Sequence, residues 1–165
     1  MNIKESMTKK VIRISVVAAL YVALTLALPW LAYGDIQFRI AEVLILLCFF
    51  RKDYSISLII GCAIANIFSP MGIVDVIFGT IATALSVLFV SKSKTFVLTI
   101  IYPTIFNALI VGCELYFILG LPFIISSISV LIGEAVVMII GYLVFNSLKN
   151  RKSFLELISA DQNIN

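Results

Sequence analysis

Six apolar runs, near residues 10–31, 38–50, 54–69, 74–91, 95–118 and 122–147, fill most of this chain and leave only short connections between them. No other feature restricts the fold as strongly. An apolar run of ~20 residues is long enough to cross a bilayer as a helix. The second and third runs are short for that purpose, and short helices of this kind border a cavity or a re-entrant loop. Only 13% of the residues are charged, about half the share of an ordinary soluble domain. The mean hydropathy is +1.15. The expected fold is an all-α membrane protein, a single six-transmembrane-helix bundle over residues 1–147 with a polar cytoplasmic tail over 148–165.

The first run superficially resembles a signal peptide. Its apolar part exceeds the roughly 7–15 residues of a secretory h-region, and no small-x-small cleavage site follows it. It is expected to stay as helix 1. The basic residues test the helix count. Lys4, Lys9, Lys10 and Arg13 precede or open helix 1; Arg51 and Lys52 separate helices 2 and 3; Lys92 and Lys94 separate helices 4 and 5; Lys149, Arg151 and Lys152 follow helix 6. Eleven of the 12 basic residues thus fall on one side of a six-span topology. The positive-inside rule places that side, and both termini, in the cytoplasm. Topology therefore accounts for the isoelectric point near 8.8, which needs no nucleic-acid partner.

Several chemistries are disfavoured. The chain has no histidine, the commonest metal ligand and the usual general base near neutral pH. Cys48, Cys62 and Cys113 stand alone in apolar runs, without the clustered spacing of a zinc site, and read as small buried hydrophobes. No G-x-x-x-x-G-K occurs, so the chain carries no P-loop of its own. No catalytic residue, metal or cofactor is expected.

The acids are more telling. Glu5, Asp53, Glu156 and Asp161 fall on the cytoplasmic side, whereas Asp35, Glu42, Asp75, Glu114 and Glu134 gather with Asn66 and Asn107 in the outer half of the bundle. A charge at membrane depth costs several kcal/mol and normally marks a functional site. Arg39, the single basic residue on the outer side, stands three residues before Glu42, and the two can pair. One arginine cannot neutralise five acids, so the rest must be protonated, solvated or matched to a cationic ligand. Trp30, Tyr33, Phe38, Phe68, Phe78, Tyr116, Phe117 and Phe123 lie at the same end. Most fit an interfacial belt, and a few are free to stack on a flat ligand. On helix 1, Ser15, Ala19, Ala23 and Ala27 repeat every four residues. This small-residue ridge allows close helix approach, either inside the bundle or against another membrane subunit.

Five stretches carry a family resemblance: "QFRIAEVLILL" (37–47), "GCAIANIFSP.G..D" (61–75), "DVIFGTIAT" (75–83), "PTIFNALIVG" (103–112) and "IGEAVVMIIG" (132–141). Together they resemble the S components of energy-coupling factor (ECF) transporters, and among these the QueT type of queuosine-precursor transporter. Ala41 departs from the Q-x-R-x-S-E pattern, where serine is expected. The resemblance implies a prokaryotic cell-membrane protein working with a transmembrane coupling protein and two cytoplasmic ATPases, with the alanine ridge as the docking face. It also implies a 7-deazaguanine substrate, preQ1 or queuine. The substrate-binding set would then be Gln37, Arg39, Glu42, Asn66, Asp75, Asn107, Glu114 and Glu134. Either Glu42 or Glu134 takes the guanine-like edge, and Asp75 or the other glutamate takes an amine; Arg39 either orients Glu42 or donates to the carbonyl. The alternatives are an S component for a thiamine-like cation and a membrane-assembly subunit that binds no ligand. An intramembrane enzyme is disfavoured.

Overall fold

The computed structural model describes residues 7–32 and 37–159, so Tyr33 and Asp35 lie outside the described residues. Each apolar run is helical. Helix α1 (Met7–Ala27) stops at Leu28, where Pro29 disfavours helical backbone in the residue before it, and the short α2 (Pro29–Ala32) follows. A 3₁₀ helix, Ile40–Leu46, runs directly into α3 (Leu47–Phe50). Then come α4 (Tyr54–Asn66), α5 (Ile73–Val90), α6 (Leu98–Leu119), α7 (Phe123–Leu148) and the short α8 (Lys152–Leu157). Four of these, α1, α5, α6 and α7, are long and apolar enough to cross a membrane.

The two remaining runs are shorter helices, Ile40–Phe50 and Tyr54–Asn66. Helix α4 spans ~20 Å at about 1.5 Å per residue. The 3₁₀ stretch rises about 2.0 Å per residue, so the 11-residue Ile40–Phe50 element reaches a similar ~20 Å. Both fall short of a hydrocarbon core ~30 Å thick. Ile40–Phe50 is also nearly all apolar and nearly all buried. An element that is hydrophobic all round belongs inside a bundle. The neighbouring helices pack in the order α1–α4–α5–α6–α7, and the 3₁₀ segment touches all five. It is the axis on which the bundle is built.

Polarity is inverted relative to a water-soluble domain. The surface of the long helices presents Ile77, Ile81, Ile101, Ile105, Leu109, Ile128, Leu131 and Ile139, while Arg39, Glu42, Asn66, Asn107, Glu114 and Glu134 are buried. An apolar belt of this extent around a charged interior requires lipid as solvent. The molecule is a multi-pass membrane protein.

The basic segments gather at one end. There Asp53 takes Lys10 at 3.0 Å and Arg13 and Arg51 each at 3.3 Å. Burial works to raise the Asp53 carboxyl, but Lys10 and Arg51 outweigh it and hold the group below the usual carboxylate range. The segment after Leu148 folds back across this end. Tyr54 donates its hydroxyl to the Ile158 carbonyl and Arg51 donates to the Ser159 carbonyl, both at 2.7 Å. Phe154 of α8 packs on Phe50 and Phe145, ring centroids 5.7 Å apart in each case. Phe50 closes the axial element, so α8 seals the end opposite Arg39 and Glu42.

A buried charged centre as candidate binding site

Arg39 caps the 3₁₀ helix and Glu42 lies in its first turn. The Glu42 N–H donates to the Arg39 carbonyl at 2.8 Å, which closes the turn between them and leaves guanidinium and carboxylate within reach, Nη2 and Oε1 at 3.5 Å. The surrounding helices then supply the other polar groups. Tyr21 of α1 donates to Glu42 Oε1 at 2.9 Å, and Thr83 of α5 approaches the same oxygen at 3.3 Å. Asn107 of α6 donates Nδ2 to Glu42 Oε2 at 3.4 Å and accepts from Arg39 Nη1 through Oδ1 at 3.5 Å. Asn66 of α4 accepts from Arg39 Nη2 at 3.5 Å, and Cys62 Sγ lies 3.4 Å from the same nitrogen. Glu42 is 0% exposed and Arg39 8%. Both Glu42 oxygens and both terminal Arg39 nitrogens are engaged within the protein.

Glu134 of α7 completes the centre differently. It is 1% exposed, within electrostatic reach of Glu42 and Arg39, and neither of its oxygens has a hydrogen-bond partner among the described residues. Glu114 of α6 is 0% exposed and likewise receives no N–H or O–H bond from the described residues; its polar neighbour is the carboxyl of Asp75. Asp75 accepts from the Ser69 hydroxyl. Buried polar groups are ordinarily satisfied, so two carboxylates with no protein donor among the described residues are the conspicuous feature of this interior.

Depth follows from helix register. Counting from the end opposite the basic one at about 1.5 Å per residue, Thr83, Asn107 and Glu134 lie ~15–18 Å down, Glu114 ~8 Å and Asp75 ~3 Å. Asp75 and Glu114 thus occupy the expected half, while the Glu42 centre sits about half-way along α5, α6 and α7. Arg39, Glu42, Asn66, Asn107 and Glu134 come together; Glu114 and Asp75 form a second group nearer the mouth. Gln37 lies half-buried in the chain leading into the 3₁₀ helix.

Three members of the site have no counterpart among the residues expected from sequence: Tyr21, Cys62 and Thr83. Cys62 corrects the expectation that all three cysteines are plain hydrophobes, since its sulfur faces Arg39, Asn66 and Thr83. The belt aromatics Trp30, Phe68, Tyr116 and Phe117 are exposed, whereas Phe38, Phe78 and Phe123 are half-buried. An open apolar groove of about 820 Å³ between the ends of α6 and α7 is lined by Cys113, Tyr116, Phe117, Phe123 and neighbours, and is distinct from the charged centre. The small-residue ridge does not pack inside. Ser15, Ala19, Ala23 and Ala27 are all exposed, on the face opposite the buried Ala18, Tyr21 and Thr25.

Two glycines make the approach possible. A Cβ on Gly61 would stand 2.9 Å from Tyr21 Cβ and 3.0 Å from the Ala18 carbonyl, so α1 reaches α4 closely enough for Tyr21 to bond Glu42. A Cβ on Gly79 would collide with Asn66 Nδ2 and stand 3.5 Å from both terminal Arg39 nitrogens. Gly79→Ala is therefore expected to push Asn66 off its bond to the Asp75 carbonyl, 2.9 Å long, and to cost about 1–3 kcal/mol of stability through overpacking. A thermal melt in detergent checks this; an unchanged Tm refutes the close contact.

A membrane protein that buries one of its arginines at depth in a carboxylate centre behind apolar walls has the interior expected of a transporter of small polar solutes. Residues 11–150 match the family model of the QueT transporter. A curated relative from Lactococcus lactis subsp. cremoris (strain MG1363), called a queuosine precursor transporter QueT, is 34% identical over 165 aligned positions, which cover 90% of this chain and 96% of the relative. This chain belongs to the QueT transporter family. No solved structure matches it.

Proposed function

We propose that this chain is the substrate-capture (S) component of an ECF-type importer, taking a queuosine precursor, a 7-deazaguanine base, from outside the cell for ATP-driven uptake. The observation that carries the reading is the deep centre in which Arg39 and Glu42 satisfy one another while Glu134 keeps both oxygens unpartnered. A guanine-like edge offers adjacent N–H donors, which suit a carboxylate accepting two hydrogen bonds, the logic by which extruded bases are read. With Glu42 already committed to Tyr21, Thr83, Asn107 and Arg39, Glu134 is the acid that takes this edge. Arg39 is the group that orients Glu42. Family membership and the relative's name support the substrate class.

The basic end faces the cytoplasm under the positive-inside rule, which opens the acidic end outward. The chain has no P-loop, so hydrolysis falls to two partner ATPases, reached through a transmembrane coupling protein that docks on the outward-facing ridge of α1. The cell membrane of a prokaryote is the site of action.

Thermal shift and calorimetry on the detergent-purified chain against preQ1, queuine, guanine and thiamine test this. Saturable preQ1 or queuine binding is expected, weakened roughly ten- to a hundredfold in Glu134→Gln, the value of a charge-assisted hydrogen bond. Thiamine binding alone would assign a different substrate. No binding to any of the four would leave a membrane-assembly role.

A further inference from the structure

We propose that Glu114 and Asp75 form a separate cation station, which reads an ammonium group carried on the base and makes the protein select amine-bearing deazaguanines over neutral ones. This rests on the deazaguanine reading above and adds the basis of selection among such bases. Four observations support it.

First, Glu114 is 0% exposed and no N–H or O–H of the described residues donates to either of its oxygens; its polar neighbour is another acid, Asp75. Burying an acid that no protein donor serves is costly. Second, Asp75 stands beside it and is fixed from behind. Its carboxylate accepts from Ser69, whose hydroxyl oxygen is itself held by the N–H groups of Met71 and Gly72 at 3.2 and 3.1 Å. Two neighbouring acids, one of them positioned by Ser69 and the other served by no protein donor, form a receptor for positive charge.

Third, among the described residues the cation that acts on Glu114, Arg39, does so from a distance and is paired elsewhere. Arg39 is the only basic residue among the described ones away from the basic end. It is spent on Glu42, Asn66, Asn107 and Cys62. Fourth, the register is right. Glu114 follows Asn107 by seven residues, two turns along one face of α6, and Asp75 precedes Thr83 by eight on α5, so the station lies ~10–12 Å from the Glu42 level. That interval accommodates a two-ring base bearing a one-carbon arm, with a charge-assisted hydrogen bond of roughly 2.8 Å at each end. The two carboxylate levels thus divide the ligand: Glu134 takes the ring edge, and Glu114 with Asp75 takes the arm.

The test compares two probes by calorimetry on the detergent-purified chain: 7-aminomethyl-7-deazaguanine, a cation, and 7-ethyl-7-deazaguanine, its neutral isostere. The native chain is expected to bind the amine at least ~10-fold more tightly, the worth of one charge-assisted hydrogen bond. In Glu114→Gln, and separately in Asp75→Asn, that ratio is expected to fall toward one, the amine losing far more than the isostere. In Glu134→Gln both ligands are expected to weaken by similar factors with the ratio kept. Isostere binding reports that each variant is folded. Equal affinities in the native chain, or a ratio untouched by both Glu114→Gln and Asp75→Asn, would overturn the proposal while leaving deazaguanine capture standing. Failure of both probes to bind the native chain would remove the substrate reading and this inference with it.

Discussion

Replacing Arg39 with methionine is expected to lower stability by about 3–5 kcal/mol, the usual loss when one member of a buried ion pair is removed. For a domain of this size that is a fall of roughly 6–20 °C in Tm. Methionine preserves most of the volume, so packing is not the cause. The cause is electrostatic. Glu42 has no solvent exposure, and without the guanidinium it faces Glu134 with only the donors of Tyr21, Thr83 and Asn107 to support it. Asn107 and Asn66 also lose the donor that fixes their side-chain oxygens. The double variant Arg39→Met with Glu42→Gln is expected to recover a large part of this loss, because a neutral amide still accepts from Tyr21. A double-mutant cycle read from thermal melts in detergent decides the matter. If the two losses simply add, the pair is not coupled and Arg39 has some other partner at depth.

That expectation depends on a centre only part of which was visible in the sequence. Arg39 was legible because it is the one basic residue that breaks the alternation of charge along the chain, and Glu42 because an acid three residues from it inside an apolar run needs an explanation. Asn66, Asn107, Glu114 and Glu134 were legible for the same reason: polar atoms in lipid-length runs are expensive. Tyr21 and Thr83 were not, since one hydroxyl in an apolar helix is cheap enough to go unremarked and commonly bonds a backbone carbonyl. What assigns them is the Gly61 crossing and the α5 face carrying Asp75, Gly79 and Thr83, which no local pattern reveals.

The fold divides in the same way. The apolar runs are helical, four of them as helices long and apolar enough to cross a membrane and two as shorter elements, because continuous hydrophobicity leaves few other solutions in lipid. The 3₁₀ geometry of Ile40–Leu46 could not be read, since a period of 3.0 and one of 3.6 look alike over a run that is apolar at nearly every position. Nor could the central placement of that element, although its lack of a polar face is the trace it leaves. The turn that opens the 3₁₀ helix, closed by the Glu42 N–H on the Arg39 carbonyl, holds the two within reach, so the least legible part of the fold sets the geometry of its most legible residues.

The ridge on α1 carries the second large expectation. Ala19→Leu combined with Ala23→Leu is expected to abolish uptake of a queuosine precursor by cells that supply the energising subunits, while the purified variant binds substrate as the native chain does. The two halves have separate physical grounds. Ala19 and Ala23 point away from the buried face formed by Ala18, Tyr21 and Thr25, so two added leucines stand clear of the core formed by the described residues. Leucine is at home in lipid tails, which leaves the fold unaffected. Close helix–helix approach in a membrane, by contrast, depends on small residues that let backbones come near, and two leucines hold a partner helix off. Uptake that persists at the native rate would show that the ridge is lipid-facing and nothing more. Loss of binding together with uptake would show that α1 carries strain through to Tyr21 and the charged centre. Only loss of uptake with binding retained identifies the ridge as the face on which transport is energised.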